Sequence, residues 1–184
     1  YYSSGRATVL AAVDVDGDGD DDVFTEDNLP GSRVQWRSLT GDPFEPWVTH
    51  PLSHGSVDVR FARAVDLEPD GDPDLLTVSR PITQSTPVTL AMLVNLGGDP
   101  PAFVKRIIDD ETVLLPPATI DLDGDGDTDV LAERFFRNTG LVGGLPSYSL
   151  MDKLGPFGRA VPADVDGDGD VDLVGSLQPP EPSA

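Results

Sequence analysis

Short apolar runs alternate along this chain with polar turns, and none is long enough or suitably periodic for a helix. The runs Ala7–Val13, Val23–Thr25, Val57–Val65, Leu75–Val78, Val113–Ile120, Val130–Ala132, Phe157–Ala163 and Leu173–Val174 are rich in Val, Leu, Ile and Phe. Runs of this length and composition predict strands. They come in pairs, and each pair flanks an acidic window: Asp14–Asp22, Asp66–Asp74, Asp121–Asp129 or Asp164–Asp172. Strand, acidic turn, strand is the recurring unit.

A weaker pattern lies between the windows. Val34-Gln35-Trp36 leads to Thr40-Gly41-Asp42 and Phe44, Met92-Leu93-Val94 to Asn95-Leu96-Gly97-Gly98 and Phe103, and Phe135-Phe136 to Asn138-Thr139-Gly140 and Tyr148. Glycine beside Asn or Asp supplies the positive φ of a hairpin turn, so each full unit is expected to hold four strands. The first aspartates of successive windows lie 52, 55 and 43 residues apart. A four-stranded sheet cannot cover both its faces alone, so this period predicts an all-β, β-propeller-like array of four-stranded antiparallel blades. Residues 1–178 read as one domain of four repeats and the Pro-rich residues 179–184 as a tail or linker. The fourth repeat has room for two strands only. Bare strand edges are rare, so its missing strands are expected from another copy or from chain beyond these residues.

Composition supports the strand reading, because 19 Gly and 18 Pro among 184 residues leave little room for long helices. Charge then localises the chemistry. The 33 acids outnumber the 12 Lys and Arg, for a net charge of −21, and 21 of the acids lie within the four windows. Outside them the chain is neutral. Such a field repels nucleic acid and anionic membranes and favours cations. No cysteine is present, so disulfides are excluded. No stretch of about 18 apolar residues predicts a membrane span, and the start lacks the design of an export signal.

Aligned, the windows read DVDGDGDDD, DLEPDGDPD, DLDGDGDTD and DVDGDGDVD. Acids occupy positions 1, 3, 5, 7 and 9, and glycine always occupies position 6. Calcium takes six to eight oxygens, and a tight loop offering side chains at 1, 3, 5 and 9 plus a carbonyl at 7 meets that demand. Without an ion the converging carboxylates repel one another, by roughly 1 kcal/mol per pair 4 Å apart even in water. With no Cys or His in the set, hard oxygen ligation favours Ca²⁺ over Zn²⁺ or copper, and the irregular loop suits it better than Mg²⁺. An EF-hand would need Glu at position 12, where Thr25, Thr77, Ala132 and Gly175 stand. Thrombospondin-type repeats need cysteines, and the Gly-Gly-x-Gly-x-Asp pattern of β-rolls is absent.

The loops and their strand context resemble FG-GAP/VCBS repeats, the integrin-α-like propeller blades with Asp-x-Asp-Gly-Asp-Gly-x-x-Asp loops. The resemblance spans residues 5–176. It implies about four Ca²⁺ ions in the loops between the first two strands of each blade. Their ligands would be Asp14, Asp16, Asp18, Asp20 and Asp22; Asp66, Glu68, Asp70, Asp72 and Asp74; Asp121, Asp123, Asp125, Asp127 and Asp129; and Asp164, Asp166, Asp168, Asp170 and Asp172. The position-7 residue of each set would bind through its carbonyl. The second loop departs from the pattern, with Glu68 at position 3 and Pro69 where the others have glycine. Proline cannot reach positive φ, so this site is expected to be the weakest.

Other chemistry finds little support. His50 and His54 have the spacing of a helical zinc pair, but Pro51 lies between them. Two histidines in one loop supply no defensible Ser-His-Asp set, so no enzyme is expected. Trp36 and Trp47 are read as core before sugar platform, and Ser79–Pro87 as a long hairpin before an O-glycan acceptor. The expected role is an extracellular, secreted or cell-surface, module for adhesion or structural assembly. Its partners would be other protein chains, copies of itself among them. Extracellular modules bind calcium near 10⁻⁴–10⁻³ M, a range that leaves cytosolic sites empty. The alternatives are a carbohydrate-binding propeller and a non-catalytic appendage of a polysaccharide-degrading enzyme, either of which would bind a glycan.

Overall fold

The computed structural model describes residues 7–27, 34–39, 46–52, 58–79, 87–111, 116–132, 134–151, 157–168 and 171–177. Among these residues the chain is all-β, with fourteen strands, no helix and four antiparallel sheets. His54, Asp170, the turn at Thr40–Asp42, Phe44, most of Ser79–Pro87 and the tail lie outside the described residues. No helix among those described is long and apolar enough to cross a membrane.

The chain divides into two compact units, Tyr1–Pro117 and Ala118–Ala184. The first holds two four-stranded meanders. One runs β1 (Ala7–Val13), β2 (Asp22–Asp27), β3 (Val34–Ser38), β4 (Val48–Pro51), and the other β5 (Val59–Val65), β6 (Asp74–Ser79), β7 (Thr89–Asn95), β8 (Phe103–Asp109). Their facing sides share a core of Val15, Phe24, Val34, Trp36, Leu52, Val59, Leu75 and Leu93. Phe24 of β2 meets Phe103 of β8 edge to face, with centroids 5.9 Å apart, so aromatic packing joins the two sheets directly. Two hydrogen bonds reinforce the join: Val59 N–H donates to Glu26 Oε1 at 3.0 Å, and Asn95 Nδ2 donates to the Val15 carbonyl at 3.2 Å. Every residue of β6 is buried, which accounts for its unbroken run Leu75-Leu76-Thr77-Val78 in place of a period-two alternation.

The second unit holds one meander, β9 (Ala118–Ile120), β10 (Asp129–Leu131), β11 (Phe135–Val142), β12 (Leu145–Leu150), and the hairpin β13 (Phe157–Ala163), β14 (Asp172–Leu177). Strands β1 and β13 match the expected runs to the residue. Two expectations fail here. Of the run Val113–Ile120, whose first three residues lie outside those described, the described part is a three-residue strand after Pro116 and Pro117, which have no N–H to give a ladder. Asn138-Thr139-Gly140 does not turn the chain. Gly140 (φ 86°) instead lies in a register shift within β11, and the turn comes at Gly143 and Gly144, with φ of 65° and 80°.

Candidate metal-binding loops

Each acidic window spans the connection between the first two strands of a sheet: β1 to β2, β5 to β6, β9 to β10 and β13 to β14. The first loop is built around Asp14. Its Oδ1 accepts from the N–H of Gly17 (2.8 Å) and Asp18 (3.1 Å), and its Oδ2 from Gly19 N–H (3.0 Å). Asp18 Oδ1 in turn accepts from Asp20 N–H. Gly17 and Gly19 adopt φ of 75° and 94° with open space around them. Backbone conformation, not crowding, is therefore what demands glycine. The third loop repeats the arrangement: Asp121 receives Gly124, Asp125 and Gly126, and Asp125 receives Asp127.

The position-9 aspartates close the loops from below. Asp22, Asp74 and Asp129 are fully buried, and each spends both oxygens on backbone amides. Asp22 receives Val15 and Leu39, Asp74 receives Leu67 and Asn95, and Asp129 receives Leu122 and Asn138. One amide belongs to the loop and the other lies within, at the end of or just after the third strand, so a single carboxylate locks the loop to its sheet. Burial raises the carboxyl pKa of all three, Asp74 to about 6, against the pull of these hydrogen bonds. Asp172 keeps the loop bond, from Val165 N–H at 3.0 Å, but is exposed.

Three loops gather carboxylates tightly. Single oxygens of Asp14, Asp16 and Asp18 lie within 4.8 Å of one another, as do those of Asp121, Asp123 and Asp129, and those of Asp164, Asp166 and Asp172. These groups could hold a metal ion. Oxygen-only donors brought this close fit a hard cation. Burial and the neighbouring Asp18 charge raise the carboxyl of Asp16, a penalty that a bound cation would remove. Asp20, Asp72 and Asp127 at position 7 accompany these loops without joining a group, and Asp168 donates its N–H to Asp166 Oδ1.

The second loop differs. Pro69 has no N–H for Asp66, and Asp70 N–H turns to the Glu68 carbonyl at 2.6 Å. Only the Gly71 bond to Asp66 Oδ2 (3.1 Å) and the Asp72 bond to Asp70 Oδ1 (2.9 Å) remain from the pattern. Glu68, one methylene longer than aspartate, is buried and hydrogen-bonds to Asp74. Burial, then the Asp74 charge, pushes its carboxyl up to about 8, so at neutral pH the pair shares a proton. No three acids of this loop form a group like the other three.

Two features were not foreseen from the sequence. Asn95 and Asn138 do more than accept from the glycine two residues on: their own N–H groups hold Asp74 and Asp129. Arg137 of β11 forms an ion pair through Nε with Asp123 and donates from Nη2 to Asp125 Oδ2 at 3.3 Å. The Asp125 carboxyl lies below the ordinary carboxylate range, first through the Asp127 N–H and then through Arg137. The only sequence signal for either was placement just before or within an Asn-x-Gly run. Away from the loops, Trp36 is buried, with its ring stacked on His50 at 3.9 Å, and the His50 ring nitrogen meets Ser38 Oγ at 3.0 Å. Trp47 is 40% exposed.

Comparison with known proteins returned no match: no family model, no curated protein and no solved structure is similar to the chain. The likeness to FG-GAP/VCBS repeats therefore rests on the loop motif and its strand context.

Proposed function

We propose that this chain is an extracellular calcium-binding β-repeat module, propeller-like in its arrangement of blades, that serves adhesion or structural assembly. The observation that carries the reading is the convergence of three carboxylates in each of three loops, all placed between the first two strands of a sheet. Bound calcium would neutralise these groups and, in the third and fourth loops, fasten the loop to its sheet through the position-9 aspartate. Asp14, Asp16 and Asp18, then Asp121, Asp123 and Asp129, then Asp164, Asp166 and Asp172 are the residues to hold it. Calcium needs more oxygens than three, which carbonyls and water supply. The role is structural, since binding to the folded chain alone adds stability by mass action.

The β13–β14 hairpin supports an assembly role. Val15 and Leu67 at loop position 2 are buried, whereas Val165 at the same position is 64% exposed, with Val161 and Val174 also bare. Strands from another copy or from chain beyond these residues would cover them. The burial of Trp36 under His50 removes it as a sugar platform and weakens the lectin alternative. Calorimetric titration with calcium should give more than two ions per chain, at dissociation constants of about 10⁻⁴–10⁻³ M. A flat titration at millimolar calcium rejects the reading.

A further inference from the structure

The third loop carries a cation of its own. Val23, Leu75 and Val130 pair with Arg37, Leu93 and Phe136, so the next residue along the third strand is Ser38, Val94 or Arg137. The first two sheets thus place a small hydroxyl or an apolar side chain where the third places a guanidinium. From that position Arg137 reaches Asp123 with Nε and Asp125 with Nη2. Asp123 belongs to the group of three that would hold an ion, so its carboxylate is claimed twice. A guanidinium stays charged at every physiological pH and offers its donors in a fixed fork. It is therefore a permanent occupant of one flank of the loop.

We propose that Arg137 is a resident counter-ion of the third loop that lowers its affinity for calcium and holds its carboxylates together when the ion is absent. This rests on the calcium reading above. An entering divalent ion meets a positive charge within a few ångströms and competes for Asp123. Repulsion between a double and a single charge about 4 Å apart, softened by solvent and salt at this half-exposed position, corresponds to roughly a tenfold difference in affinity. The guanidinium also offsets carboxylate repulsion in the metal-free chain, so the third loop needs an ion less than it otherwise would. It binds later in a calcium titration and keeps its shape in chelator.

Site-resolved nuclear magnetic resonance on the full chain tests this, with calcium chloride as the probe and the Gly126 and Gly19 amides reporting the third and first loops. Arg137→Gln should shift the Gly126 midpoint to roughly tenfold lower calcium and leave the Gly19 midpoint within about twofold. Arg137→Lys, which keeps the charge and loses the fork, should fall between. In the wild-type chain the Arg137 Nε–H resonance should move along the Gly126 curve, a readout that needs no substitution. An unchanged or weakened Gly126 midpoint in Arg137→Gln overturns the proposal, as does a wild-type Nε–H signal indifferent to calcium. If neither glycine responds to calcium, the calcium reading itself fails and the proposal falls with it.

Discussion

The first and second acidic loops join equivalent strands of neighbouring sheets, yet the residues at positions 3 and 4 make them different objects. At position 4 the first loop has Gly17, whose positive φ and free N–H let Asp14 sit at the hub of three backbone hydrogen bonds. The second has Pro69, which allows neither, and its hub keeps the bond from Gly71 without one from position 4. Glu68 then extends to the loop floor and shares a proton with Asp74. What the loops retain in common is the floor itself: Asp22 and Asp74 are both fully buried and hold two amides each. The comparison separates two jobs that the acidic motif merges. In the first loop position 9 serves the fold while positions 1, 3 and 5 form the candidate ion group, whereas Asp129 and Asp172, at position 9 of the third and fourth loops, also join theirs.

The largest expected effect comes from breaking the shared part. Asp22→Ala leaves two buried amides without their carboxylate and should destabilise the first unit by about 3 kcal/mol even in chelator. Asp172→Ala, at an exposed aspartate, should cost within about 1 kcal/mol. Denaturant melts of the two variants in chelator check the contrast, and equally small losses would mean that position 9 acts only through metal.

A smaller effect should follow from exchanging the residue at position 4. Pro69→Gly restores an N–H for Asp66 and the positive φ, worth about 1–2 kcal/mol less some loss of backbone entropy, so calcium should bind the second loop roughly fivefold more tightly. Gly17→Pro should abolish binding at the first loop, because φ of 75° is closed to proline. The Gly71 and Gly19 amide shifts during a calcium titration report each loop separately.

A further effect is one of pH on the metal-free chain. Glu68 faces Asp66, Asp70 and Asp74, and its folded carboxyl is raised from 4.5 to about 8, that of Asp74 from 3.8 to about 6. Acids raised in the folded state bind more protons there than in the unfolded chain. Their contribution is therefore full below about pH 4 and is lost as pH rises through 6 and then 8. In chelator the melting midpoint should fall across that window, and Glu68→Gln should flatten the upper part of the fall. A midpoint that instead rises from pH 5 to 8 in chelator contradicts the proton-sharing pair.

Much of this was legible in the sequence because the strands are short and each is bounded by a loop with its own chemistry. Ala7–Val13 and Phe157–Ala163 could be marked to the residue, since the acids that follow cannot continue a strand whose side chains must pack. The two-stranded fourth sheet was equally plain. What failed depended on register. Gly140 and Gly143 both favour positive φ, and only the pairing of β11 with β12 decides which one bends a strand and which one turns the chain. Arg137 lies twelve residues from Asp125, and nothing local aims it at the loop; the β10–β11 register does. Likewise Pro69 signalled a departure at the second loop, but the descent of Glu68 onto Asp74 needed the third dimension.

Everything proposed for these loops depends on divalent ions tying clustered carboxylates into the fold. That dependence is tested most directly by the thermal midpoint of the whole chain at neutral pH, in excess chelator and then in rising calcium. The expected midpoint climbs steadily with the logarithm of calcium through the millimolar range, by several degrees in all, with magnesium less effective. One midpoint shared by chelator and 10 mM calcium, roughly ten to a hundred times the expected dissociation constants, would contradict it.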